Sequence, residues 1–180
     1  MANNQIRIAC FARYLFFLSL LFLVSANNAQ NISRYYTSSL QENGTLYFIF
    51  PQSGFGNNDS KSKLTYDITY LTTNDTATLN FSYFDASRHV VDSVSFIGNN
   101  KRYSSSVKKI FIGTKRRKWH GRYSSKVLFT DLNSFLSLTD KPRIILYTQQ
   151  GAVELTIKAR TWKKQSSVAK KILNLIKYNQ

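Results

Sequence analysis

Two stretches of this chain alternate strictly between apolar and polar residues. In LTYDITY, Leu64, Tyr66, Ile68 and Tyr70 share one face while Thr65, Asp67 and Thr69 take the other. In ATLNFSY, Ala77, Leu79, Phe81 and Tyr83 alternate with Thr78, Asn80 and Ser82. Strand side chains point to opposite faces in turn, so each stretch predicts a strand with one buried and one wet side. The connecting LTTNDT carries Asn74 and Asp75, which tolerate turn backbone, and the pair reads as a hairpin.

Weaker patterns flank it. NISRYYTSSLQENG is polar and reads as a loose lead-in, and TLYFIF, between Gly44 and Pro51, reads as a buried strand. PQSGFGNNDSKSK, rich in Gly, Ser and Asn, reads as a long loop. After a turn at FDASRH, VVDSVSFI is expected to pair back as a meander, and GNNKRYSSS is expected to be another loop. VKKIFIG and RYSSKVLFT read as strands on either side of a basic connection.

The remainder mixes periods. DLNSFLSL offers Asp131 as a helix N-cap and places Leu132, Phe135 and Leu136 at helical spacing. PRIILYT and VELTIKART predict a second hairpin around QQG, with Val153, Leu155, Ile157 and Ala159 alternating with Glu154, Thr156, Lys158 and Arg160. In the closing SSVAKKILNLIKY, Val168, Ile172, Leu175 and Ile176 fall on one side of a helix, while Lys163, Lys164, Lys170, Lys171 and Lys177 crowd elsewhere. The expected fold is mainly β: an antiparallel sandwich or open barrel of about 7–8 strands, with one short internal helix and a C-terminal amphipathic helix. No internal repeat or linker divides residues 30–180, so they are read as a single domain.

The first 29 residues read as an export signal. Arg7 and Arg13 precede the apolar run YLFFLSLLFLV, and small residues follow, with cleavage expected after Ala26 or Ala29. The run, residues 14–24, is shorter than the roughly 20 residues a membrane-spanning helix needs, so no transmembrane span is expected in the mature chain. The alternative is an uncleaved anchor or a core helix. Cys10, the single cysteine, falls within the leader, which would leave the mature chain without a disulfide, a thiolate nucleophile or a cysteine metal ligand. That usage suits a periplasmic or secreted bacterial protein. Asn-x-Ser/Thr triplets at Asn31, Asn43, Asn58, Asn74 and Asn80 are read as products of an Asn-, Ser- and Thr-rich composition.

Charge divides the chain unevenly. Residues 30–100 carry four basic residues against six acidic ones, whereas residues 101–180 carry nineteen against three, net −2 and +16. Such a field draws polyanions, although charge runs also serve simply as solvated faces.

Several chemistries lack their residues. The two histidines, His89 and His120, have no His-x-x-x-His or Glu-x-x-His neighbour, so no metal is expected. No Gly-x-Ser-x-Gly turn marks a hydrolase, since Ser53 before Gly54 has no identifiable base nearby. No phosphate-cradling glycine loop opens a helix, so no nucleotide cofactor is expected. Asp67 sits on the wet face of its strand, where solubility is its expected role.

One run remains, GTKRRKWHGRY. Lys115, Arg116, Arg117, Lys118 and Arg122 surround Trp119 and His120. Three readings compete. The cations could grip phosphate or sulfate groups while Trp119 and Tyr123 supply flat faces for bases or sugars. His120 could act as a general acid or base next to an anion clamp. Alternatively, Trp119 plugs one end of the core and the charges coat a turn. The leading expectation is a non-enzymatic binding module whose basic C-terminal half engages an anionic glycan, lipid head group or other cell-surface polyanion, with the lysine-bearing C-terminal helix extending the same surface. The alternative is a structural component of the cell envelope that docks a partner protein, and a hydrolase of an anionic polymer ranks third.

Overall fold

A computed structural model describes residues 32–51 and 53–179. The expected leader, both cleavage positions and Cys10 lie outside the described residues. From Tyr35 onward the chain forms one compact unit. Its strands are β1 (Tyr36–Gln41), β2 (Gly44–Ile49), β3 (Phe55–Asn57), β4 (Ser62–Leu71), β5 (Thr76–Asp85), β6 (Val91–Gly98), β7 (Lys101–Ser106), β8 (Lys108–Lys115), β9 (Lys118–Leu128), β10 (Arg143–Thr148) and β11 (Gly151–Thr156). Helix α1 (Phe129–Leu136) follows β9, and helix α2 (Ala159–Tyr178) follows β11.

The alternating hairpin is the backbone of the sheet. β4 and β5 pair antiparallel from Lys63↔Phe84 to Thr69↔Thr78, and Leu64, Tyr66, Ile68 and Tyr70 are all buried on one face. β9 takes the other edge of β5 in a long ladder from Thr76↔Leu128 to Asp85↔Trp119. The full antiparallel order runs β7-β6-β10-β11-β3-β4-β5-β9-β8, with β2 also on β4 and β1 on β2. The two ends of this path, β7 and β8, are consecutive in the chain with only Val107 between them. One bent segment therefore leaves β6 and joins β9, curling the sheet into a nearly closed barrel. Side chains bridge the remaining seam. The Ser105 hydroxyl donates to the Lys126 carbonyl at 2.8 Å, and the Ser125 hydroxyl lies 2.8 Å from the Ser105 hydroxyl and 3.0 Å from the Ser106 carbonyl.

The helices complete the core. Phe135 of α1 lies 5.0 Å, ring to ring, from Phe96, 5.6 Å from Trp162 and 6.4 Å from Phe55. Trp162 of α2 is 1% exposed, and its indole N–H donates to the Leu138 carbonyl at 2.9 Å, so the one polar hydrogen of this buried side chain is satisfied. Each such buried aromatic contributes roughly 1.5–3 kcal/mol by leaving water.

The expected class holds, with eleven strands in place of the seven or eight foreseen. The additions come from segments read as loops. β1 lies in the polar lead-in, β3 in PQSGFGNNDSKSK and β7 in GNNKRYSSS. β1 and β7 are exposed along most of their length, so neither shows an apolar face to alternate. β6 does not return onto β5 as a meander. The connection over residues 86–90 is tied in place by the Ser87 N–H to Asp85 at 3.0 Å and the Tyr123 O–H to the His89 carbonyl at 3.0 Å, and β6 pairs instead with β7 and β10. α1 begins at Phe129, so Asp131 lies in its first turn rather than at the cap, where a carboxylate still favours the helix dipole. α2 begins at Ala159, well ahead of the stripe foreseen from Val168, because buried Trp162, Ser166 and Ala169 already follow helical spacing.

Candidate functional site

The basic run forms the turn between β8 and β9. Lys115 pairs with Lys118 across a two-residue loop of Arg116 and Arg117, whose φ angles are +52° and +62°. Two central residues at positive φ define the tight hairpin class whose twist matches that of paired strands, and Asn and Gly favour it because they tolerate left-handed backbone. The same molecule supplies the usual solution elsewhere: the β6–β7 turn is Asn99–Asn100, at +48° and +58°. At β8–β9 two arginines occupy the same geometry. Both are exposed, as is Lys115, and among the described residues no carboxylate forms a salt bridge with any of the three.

The rest of the run does not join them on one surface. Alternation along β9 sends Trp119, Gly121 and Tyr123 to one face and Lys118, His120 and Arg122 to the other. Gly121 and Tyr123 are buried, so Trp119 shares the inward row at the barrel mouth, half-buried, with the Arg88 guanidinium 5.7 Å above its ring. On the outer face the Arg122 guanidinium is ion-paired with Asp67 and lies 3.3 Å from the Ser82 hydroxyl. Asn80 donates its amide to the same Asp67 carboxylate at 3.0 Å. Asp67 therefore anchors β4, β5 and β9 to one another, which corrects its expected role in solubility. The Lys118 ammonium is turned onto the Lys61 carbonyl at 2.6 Å.

His120 sits between aromatics. Its ring stacks on Phe84 at 4.3 Å and 9°, and meets Phe111 edge-on at 4.9 Å and 90°. Burial, then the positive charges of Lys115 and Arg122, push its pKa below the ordinary histidine value. Nε2 is buried without a hydrogen-bond partner. A neutral ring with no carboxylate beside it is poorly equipped to cycle a proton.

The other histidine lies at the foot of the Arg88 loop. Asp85, buried, accepts the Tyr83 hydroxyl and holds the Ser87 N–H, with His89 Nε2 at 3.8 Å. These contacts fix the loop that carries Arg88 over Trp119. Among the described residues no group of three His, Cys, Asp or Glu side chains converges as a metal site.

The foreseen residues thus divide into an exposed cationic tip (Lys115, Arg116, Arg117), an outer row that is internally partnered (Lys118, His120, Arg122), and Trp119 at the mouth. α2 meets the first half of the chain through Gln165 to Tyr66 and Asn179 to Tyr47, and the second half through Trp162 to Phe135 and Leu138. Sequence reasoning missed Arg88 and Asp67 as partners, and the only sequence signal for them is cross-strand register. No protein-family model matches this chain, and neither the curated proteins nor the solved structures contain a match to it.

Proposed function

We propose that this protein is an exported, non-enzymatic binding module of a bacterial periplasm or cell surface, which holds an anionic glycan, lipid head group or similar polyanion at the tip of the β8–β9 hairpin. The carrying observation is Arg116–Arg117: two exposed arginines, without a salt bridge among the described residues, in a turn whose backbone favours Asn and Gly. Residues held in such sparsely populated backbone regions cluster at ligand clamps. A guanidinium fork matches the oxygens of sulfate, phosphate and carboxylate, and Lys115 adds a third cation. Arg88 over Trp119 supplies a further exposed cation at the neighbouring strand connection. Retention on immobilised heparin along a salt gradient tests this reading, with anionic and neutral vesicles as the second arm. Arg116→Asn/Arg117→Gly is expected to elute at clearly lower salt than the parent. Equal elution refutes the tip as the site.

A second reading, the docking of a partner protein within the cell envelope, is favoured by β1. This strand pairs with β2 alone among the described residues, and its sequence YTSSLQ carries no charge to discourage strand addition. By contrast, β8 presents Lys108, Lys109 and a bulge near Ile110, which protect an edge. A hydrolase finds less support, because the His120 ring is held between Phe84 and Phe111 with Nε2 buried and making no hydrogen bond among the described residues.

A further inference from the structure

Between α2 and the sheet lies a cavity of about 380 Å³, far from the hairpin tip in sequence and built on other elements. Phe50, Pro51 and Ser53, in the connection from β2 to β3, line it together with residues of β4 and α2. Ile49, Ile68, Leu136, Val168, Ala169 and Ile172 make its walls. Its volume lies in the lower part of the range of roughly 300–1,000 Å³ typical of small-molecule sites.

Two features set its chemistry. Arg160 and Lys164, one helical turn apart on α2, line the cavity while remaining exposed, and neither forms a salt bridge among the described residues. Deeper in, the Gln165 amide N–H donates to the Tyr66 hydroxyl at 2.5 Å, while Gln165 Oε1 is buried with no partner. A buried acceptor left unmade costs about 1–3 kcal/mol, so a donor is wanted at that point. Burial holds the Tyr66 phenol above its ordinary range, and it stays a neutral hydroxyl.

The geometry points to a binding site for a single-chain anionic amphiphile: a carboxylate at Arg160 and Lys164, a hydroxyl donor close behind it for Gln165 Oε1, and an acyl chain along the apolar walls. This is the chemistry of a hydroxylated fatty acid. An apolar chain alone leaves Oε1 unsatisfied, and a cationic head meets two like charges.

The test is calorimetric titration of the full chain with 3-hydroxydodecanoate, dodecanoate and dodecyltrimethylammonium, each below its micelle concentration. Saturable one-site binding of 3-hydroxydodecanoate is expected, about three- to tenfold tighter than dodecanoate for the one added hydrogen bond. The cationic amphiphile is expected to bind at least about tenfold more weakly, since it places a like charge beside Arg160 and Lys164. Gln165→Leu is expected to erase the preference for the hydroxylated chain, and the exposed change Lys164→Gln to weaken both carboxylates. Arg116→Asn/Arg117→Gly should leave all three affinities unchanged, which separates this site from the hairpin tip. Absence of saturable binding overturns the inference. So does equal affinity for the three amphiphiles, or a preference that survives Gln165→Leu.

Discussion

Replacing Arg116–Arg117 by Asn–Gly separates stability from binding in one step. The parent turn holds two arginines at φ +52° and +62°. A left-handed backbone costs a side-chain-bearing residue about 1–2 kcal/mol, and Gly at the second position removes that term. Gly also loosens the unfolded chain, which takes back about 0.4–1 kcal/mol. Asn at the first position recovers a few tenths more, because its short amide tolerates this region. Lys115 and Lys118 face each other across the turn, so removing both arginines also relieves like-charge repulsion. That repulsion is on the order of 0.5 kcal/mol per pair in water before salt screens it. The balance is a gain of about 1 kcal/mol, or roughly 2–4 °C in Tm for a domain of this size. Thermal unfolding followed by far-ultraviolet circular dichroism measures the first quantity, and the salt at heparin elution measures the second. The expected pair of results is a higher Tm with earlier elution. A Tm that stays the same or falls refutes the strain argument. Unchanged elution refutes the binding argument independently.

Other perturbations probe the remaining geometry. His120 has a depressed pKa in the folded state, so the unfolded chain binds more protons as pH falls through the usual histidine range near 6.5, and stability is lost there. His120→Phe is expected to flatten the fall in Tm between about pH 7 and pH 5, a window set by the ordinary histidine pKa; an identical slope in both proteins contradicts this. A double-mutant cycle of Asp67→Asn and Arg122→Met is expected to give a coupling of about 1 kcal/mol, discounted for partial exposure, whereas additive effects would mean the pair holds nothing. Trp162→Ala removes a 1%-exposed indole and leaves the Leu138 carbonyl without its donor. Urea unfolding should register a loss of about 3–5 kcal/mol, and a loss below about 1 kcal/mol would show that α2 does not close the core.

What the sequence made legible follows the contrast between faces. Leu64, Tyr66, Ile68 and Tyr70 were readable because Thr65, Asp67 and Thr69 differ from them so sharply. β1 and β7 were not, because a strand wet on both sides carries no periodic signal. The β10–β11 hairpin was readable, yet its pattern ran on through Ile157 to Ala159, and only the burial of Trp162 against Phe55 and Phe135 decides for a helix there. At the basic run, composition announced the cations but not their fates. Arg122 is neutralised by a residue 55 positions away, and Trp119 is covered by Arg88 from another strand connection. Partners that distant meet only through register, which local pattern does not encode. The left-handed arginine turn was equally hidden, since nothing in KRRK advertises its backbone.

The joint where β7 swings across to β8 gives the barrel a clasp rather than a weld. Most neighbouring strands around the ring are locked by backbone ladders, although β11 and β3 share only the pair Thr156↔Gly56, whereas here serine hydroxyls and two carbonyls do the fastening. Behind them lies a second hollow of about 180 Å³ reaching inward to Leu132 and Phe135. Hydroxyls trade partners with water easily, so this joint can part and re-form while the β5–β9 ladder stays whole. Opening at the clasp would part Lys101–Ser106 from β9 and wet the interior from that side, while the ladder from Ser93↔Ser106 to Gly98↔Lys101 keeps the strand on β6.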